Sequence, residues 1–192
     1  MVRYKVGIIV SSDKGSTGER EDKSGTLIHD MVTEAGFEVA SLKILPDDRE
    51  KLSFEMVRLA DALNVHLILT TGGTGFSLRD VTPEATRSVV DREAPGIAEA
   101  IRMHSLSITP RAMLSRGYAG IRGRTLIVNL PGSPKAVKEA LEYIMVPLKH
   151  GIEILMGDAH DCATPLHDHD HHHDHHHDHH HHDHHGHENH HK

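Results

Sequence analysis

Val6 to Val10 form an unbroken run of apolar or small residues that stops at Ser11, Ser12 and Asp13. A run with no polar alternation predicts a strand buried on both faces, here feeding a polar loop. From Ser24 the period lengthens. Leu27, Ile28, Met31 and Val32 recur at helical spacing, and Gly36 stands where a helix C-terminus favours glycine. A second strand is predicted over 37–45, Pro46 interrupts the chain, and a helix follows from about Asp48 through Leu52, Met56, Leu59, Ala60 and Leu63. His66 to Thr71 is another short apolar strand, and it runs directly into Gly72, Gly73, Thr74 and Gly75. The alternation of strand and helix predicts an α/β protein, a three-layer, mostly parallel sheet with helices on both faces.

The second half carries three copies of one helix-start signal. Thr82-Pro83, Thr109-Pro110 and Ser133-Pro134 each pair an N-cap hydroxyl with a residue that has no amide hydrogen to leave unsatisfied. Tyr118 to Ile121 and Arg124 to Asn129 predict a hairpin turning at Arg122 and Gly123, which adds an antiparallel element to the sheet. Ala136, Val137, Ala140, Leu141, Ile144 and Met145 continue at helical spacing, with a kink or break expected at Pro147 and a last helix to Leu155.

Composition divides the chain. Of its 22 His, 18 lie from His160 onward, and seven acidic residues and one Lys in that stretch account for −6 of the net charge of −7. The expected organisation is one domain over 1–159, nearly neutral, and a His/Asp-rich low-complexity tail over 160–192. A body of this size buries about 70 % of its unfolded surface and needs no disulfide. A single Cys, Cys162, fits a reducing compartment. No apolar stretch approaches the roughly 18 residues of a membrane span, and Arg3 and Lys5 do not open a signal sequence, so the cytoplasm is expected. A neutral body with three Phe, three Tyr and no Trp lacks the basic stripe and stacking rings of a nucleic-acid binder.

The segment Thr70, Thr71, Gly72, Gly73, Thr74, Gly75 sits at the C-terminal end of a predicted strand, where open α/β sheets bind ligands. Glycines there let backbone amides turn toward phosphate oxygens, although taken alone they describe a tight turn equally well. Neither the P-loop nor the dinucleotide glycine spacing is present. Asp80 follows, just before the helix start at Thr82. A carboxylate beside a phosphate cradle calls for a cation between them, and Mg²⁺ held by Asp80 and ligand phosphates satisfies both. Alternatively Asp80 only stabilises the helix dipole and Arg79 is a solvated charge. Asp47, three residues before Glu50, could equally cap its helix in a capping box. Leu130-Pro131-Gly132-Ser133-Pro134 is a second strand-to-helix junction whose free amides suit an anion. Together these features describe a site for a phosphorylated or nucleotide ligand.

With "SSDKGSTGEREDKSG", "LPDD", "TTGGTGFSLRDVTPEAT", "PGIAEAIR", "TPRAMLSR" and "LPGSPKAV" in this order, the chain from Val6 to Leu155 resembles the molybdopterin adenylyltransferases, the Mog and MoaB proteins and the gephyrin G-domain. "DREAPG" and His104 to Thr109 favour the Mog branch. The resemblance implies a molybdopterin-binding, Rossmann-like fold, a homotrimer, ATP and molybdopterin as substrates, Mg²⁺ as cofactor, and partners among other molybdenum cofactor enzymes of the MoeA type. It implies transfer of AMP from ATP to the molybdopterin phosphate with release of pyrophosphate. The alternative is a non-catalytic, MoaB-like molybdopterin carrier. Asp47 and Asp80 match the two functional aspartates, acting on Mg²⁺ or phosphate. Gly72, Gly73, Thr74 and Gly75 match the phosphate loop, with Ser12, Asp13 and Ser133 lining the pocket, and Thr71, Thr82, Pro131 and Gly132 are the remaining candidates for substrate contact.

The tail interleaves His with single Asp, and its longest unbroken His run is four residues, His179 to His182, unlike a uniform purification tag. Such a segment cannot bury a core and is expected to be disordered without metal. Imidazoles with interspersed carboxylates suit Zn²⁺, Ni²⁺, Co²⁺ or Cu²⁺. The candidates are His169, His171, His172, His173, His175, His176, His177, His179 and His180.

Overall fold

The computed structural model describes residues 4–158. The His/Asp tail and all its metal candidates lie outside them. Among the described residues β1 (Lys5–Ser11), β2 (Glu38–Leu45), β3 (Leu67–Thr71), β4 (Arg92–Glu93), β5 (Ala119–Arg122) and β6 (Thr125–Leu130) form one sheet in the order β2-β1-β3-β6-β5-β4. The first four in that order are parallel, and the hairpin of β5 and β6 turns the far edge antiparallel.

Period-two alternation within the apolar strands sorts their side chains into two cores. Val6, Ile8, Leu67, Leu69, Leu126 and Val128 face α2 (Lys23–Glu34), which follows the single-turn α1 (Asp13–Ser16), and also α5 (Pro95–Leu106) and α6 (Pro134–Met156). Ile9, Ile68 and Ile127 face α3 (Arg49–Val57), the π-helical turn that continues it (Arg58–Ala62), and α4 (Thr82–Arg87). All nine strand residues are essentially buried. Continuous apolar runs are what a strand covered on both sides requires, and the three-layer expectation holds.

Three local expectations differ. Thr82 does not cap α4: the cap position is Val81, with no side-chain bond, and the Thr82 hydroxyl donates instead to the Gly72 carbonyl at 2.9 Å. Thr109 does cap, accepting from the Arg111 amide, but only a short 3₁₀ segment (Pro110–Leu114) follows. The chain turns extended at Ser115, and Arg102 holds the carbonyls of Ser115 and Gly117 at 3.0 and 3.1 Å on the way to β5. α6 runs through Pro147 without a break. Its buried stripe, Val137, Ala140, Leu141, Ile144, Leu148 and Ile152, continues on both sides of the proline, which is itself exposed. Packing of that stripe outweighs the one lost backbone bond. No helix among the described residues is long and apolar enough to cross a membrane.

Candidate active site

β1 is flanked by β2 on one side and β3 on the other, so the chain reverses its direction of travel across the sheet between β1 and β3. Val10 of β1 lies opposite Thr71 of β3, which lies opposite Leu130 of β6. Loops leaving neighbouring strands at such a switch point diverge and leave a crevice. A cleft of about 760 Å³ opens at this place.

Gly72 and Gly73 form its floor in left-handed backbone, φ +89° and +63°. A Cβ on Gly72 would stand 2.2 Å from the Ser11 carbonyl oxygen, and one on Gly73 2.5 Å from the Thr82 hydroxyl. No other residue fits this close approach of two loops. Threonine hydroxyls tie the loop down: Thr82 to the Gly72 carbonyl, and Thr71 to the Pro131 carbonyl at 2.6 Å. Beneath it the buried Asn129 amide donates to Thr70 and Thr86 at 2.9 and 2.8 Å and accepts from the Tyr118 amide, leaving its polar atoms satisfied.

Asp47 and Asp80 line the same cleft. Asp47 is not the cap of α3. Asp48 is, accepting from Lys51 at 3.0 Å, which frees the Asp47 carboxylate to accept from the Ser11 hydroxyl at 2.6 Å and the Asp13 amide at 3.1 Å. The Asp13 carboxylate returns the bond from the Asp47 amide at 3.0 Å. Asp80 closes a turn with Ser77, its Oδ2 accepting from the Ser77 amide at 2.9 Å. Arg79 is not a free surface charge: its guanidinium grips Asp13 through two bonds of 3.0 and 2.8 Å. Those bonds, then the one from the Asp47 amide, hold the Asp13 carboxyl below the usual carboxylate range and raise Arg79 in turn.

Of the candidates, Ser12, Asp47, Thr71, Gly72, Gly73, Asp80, Gly132 and Ser133 are brought together on the cleft wall. Asp13, Thr74, Gly75, Thr82 and Pro131 stand behind it. Asp13 braces Asp47, the Thr74 and Gly75 carbonyls accept from Arg116, Thr82 holds Gly72, and the Pro131 carbonyl accepts from Thr71. Ser133 caps α6, accepting from Ala136, so that helix starts at the cleft as expected. The second helix start there belongs to α2 rather than α4, because Asp22, Lys23 and Ser24 line the cleft and Ser24 donates to the Gly132 carbonyl at 3.0 Å. Outside the predicted set, Ser11, Ser24 and the charged run Glu19, Arg20, Glu21, Asp22 and Lys23 also line the cleft. Their signal is the segment that follows the first strand, of which only Ser12 and Asp13 are predicted as site residues.

Among the described residues no group of three or more His, Cys, Asp or Glu could hold a metal by itself. Two carboxylates beside an open cleft nevertheless fit Mg²⁺, a hard cation that keeps several waters and shares its shell with substrate phosphates.

Residues 7–150 match the family model described as a probable molybdopterin binding domain. The chain is 38 % identical over 160 residues to the molybdopterin adenylyltransferase of Helicobacter pylori strain J99, covering 82 % of this chain and 91 % of that one. It is 43 % identical over 145 residues to that of Escherichia coli K12, with 74 % of each covered. The molybdopterin biosynthesis enzyme MoaB of Thermus thermophilus superposes with a TM-score of 0.76 at 47 % identity, over 80 % of this chain and 97 % of that structure.

Proposed function

The chain belongs to the molybdopterin-binding domain family, and from that membership we propose that it is a molybdopterin adenylyltransferase of the Mog branch, acting in molybdenum cofactor biosynthesis. The observation that carries the reading is the convergence of Asp47, Asp80, the Gly72-Gly73 turn and the start of α6 on one cleft. A terminal phosphate of molybdopterin attacks the α-phosphorus of ATP. The new phosphorus–oxygen bond forms as the bond to the β-phosphate oxygen breaks, and pyrophosphate leaves with that electron pair. Such a reaction depends on alignment of two anions that repel each other. The tight turn at Gly72 and Gly73 lets phosphate groups approach the backbone and the free amides of α6 face negative charge, while Arg20 and Lys23 line the cleft among the acids Glu19, Glu21 and Asp22, so the side chains alone leave it acidic and a bound cation is called for. Asp47 and Asp80 would hold Mg²⁺, which when bound supplies neutralisation of the phosphate charge. Ser11 and Asp13 fix the Asp47 carboxylate so that it does not reorganise during the reaction.

Incubation of the protein with ATP, Mg²⁺ and molybdopterin tests this. Pyrophosphate and adenylyl-molybdopterin in equal amounts are expected. Tight pterin binding with no ATP affinity and no pyrophosphate would establish the carrier reading instead.

The same reading extends to a cytoplasmic homotrimer that hands its product to a molybdate-inserting enzyme of the MoeA type. α5 and α6 meet at a stacked His104–Tyr143 pair, 4.3 Å between ring centres, with Met103 and Val146 beside it 72 % and 80 % exposed, an apolar surface suited to contact between copies. The tail binds Zn²⁺, Ni²⁺, Co²⁺ or Cu²⁺ through its histidines, independently of the cleft.

A further inference from the structure

The turn that carries Asp80 has little of its own to hold it. Phe76 and Leu78 within it are 68 % and 100 % exposed, so no core packing fixes its path. Inside it are the reciprocal bonds of Ser77 and Asp80 and a bond from the Arg79 amide to the Ser77 hydroxyl, and the exposed Arg79–Asp13 pair ties it to the segment that follows β1. Both ends are gripped by one residue from a distant part of the chain. Arg116 donates through its amide to the Thr74 carbonyl at 2.9 Å, through Nε to the Gly75 carbonyl at 2.7 Å, and through Nη2 to the Asp80 carbonyl at 2.5 Å. Its Nη1 pairs with Glu84 in the first turn of α4. The other Glu84 oxygen is sealed from solvent with no hydrogen-bond partner among the described residues, so Arg116 is its compensating charge. Arg116 is itself fixed, because the carbonyls on either side of it are held by Arg102.

We propose that Arg116 is a positioning residue for adenylyl transfer: it clamps the entry and exit of the Asp80 turn and so sets the Asp80 carboxylate against the cleft, which Arg116 does not itself line. The proposal rests on the transferase reading above. A planar guanidinium can serve two backbone carbonyls and a carboxylate in fixed directions at once. A lysine ammonium keeps the charge beside Glu84 but cannot span all three.

The test compares the full chain with Arg116→Lys, Asp80→Asn and the double variant. In Arg116→Lys, hydrogen exchange should accelerate in the peptide spanning 74–84 and nowhere else. The pyrophosphate-release kcat should fall about 100-fold, the scale of a misplacement near 1 Å, with KM for ATP changed less than about twofold. In the Asp80→Asn background the same substitution should cost less than about twofold, because its effect runs through Asp80. Additive losses, a loss confined to KM, or unchanged exchange in an active Arg116→Lys chain would overturn the clamp and leave the transferase reading standing. A wild-type chain that releases no pyrophosphate overturns that reading, and the catalytic part of this proposal with it.

Discussion

Asp47 and Asp80 carry the same charge but are held differently, and their substitutions should separate. Both oxygens of Asp47 accept bonds, from the Ser11 hydroxyl and the Asp13 amide, whereas the described residues engage only Oδ2 of Asp80. Asp80→Asn keeps an acceptor for the Ser77 amide and loses only charge. It should leave the melting temperature unchanged while pyrophosphate release falls by about 10²- to 10³-fold, the usual scale for one preorganised electrostatic contact. A second prediction concerns pH. Arg79 holds the Asp13 carboxyl below its ordinary value, so the pair stabilises the fold fully above about pH 3.9 and is lost as pH falls through the folded-state value. Melting curves should show wild type more stable than Asp13→Asn at pH 7, with the gap closing below about pH 4. Both groups are exposed, and the gap is accordingly small. At this scale the sequence showed which residue types matter but not what each one touches. Asp47 could be read as a cap because Glu50 stands three residues on. Only the folded chain shows that its neighbour Asp48 takes that role and leaves Asp47 to the cleft.

Elements were legible where tertiary packing agrees with local pattern. β1, β3 and β6 are buried on both faces and announce themselves as apolar runs, and the hairpin of β5 and β6 turns where glycine permits. β4 and α5 were not assigned. β4 is two exposed residues long and leaves no trace, whereas α5 carries Ile97, Ala98 and Ile101 at helical spacing behind Pro95, a signal present in the sequence but not used. Pro147 misled in the other direction, since local preference forecasts a break that the buried face of α6 overrides. Proline costs about 3 kcal/mol relative to alanine inside a helix. Pro147→Ala, at an exposed position, should therefore raise stability by about 1–3 kcal/mol in denaturant unfolding. A destabilised variant would show that the proline ring contributes packing that outweighs the lost backbone bond.

For the whole molecule, strand order places the cleft. Apolar patterning predicted parallel strands under two helical layers, but which strands are neighbours, and hence where the switch point falls, is a property of long-range pairing that no local pattern encodes. The glycine turn and the aspartates were found separately; the topology brings them to one opening between β1 and β3. The His/Asp tail is a separate question of composition. Deleting residues 160–192 should abolish multi-site Ni²⁺ or Zn²⁺ binding in calorimetric titration while pyrophosphate release stays within about twofold of wild type. Lost turnover would show that tail and cleft are coupled. The central claim, that two carboxylates and a glycine turn share one cation-bridged triphosphate, is met most directly by a crystal structure with a non-hydrolysable ATP analogue and Mn²⁺. An anomalous peak is expected about 2.0–2.3 Å from a carboxylate oxygen of Asp80 or Asp47, with the phosphates lying between that ion and Gly73. Phosphates bound away from the Gly72-Gly73 turn, or an ion that touches neither aspartate, would contradict it.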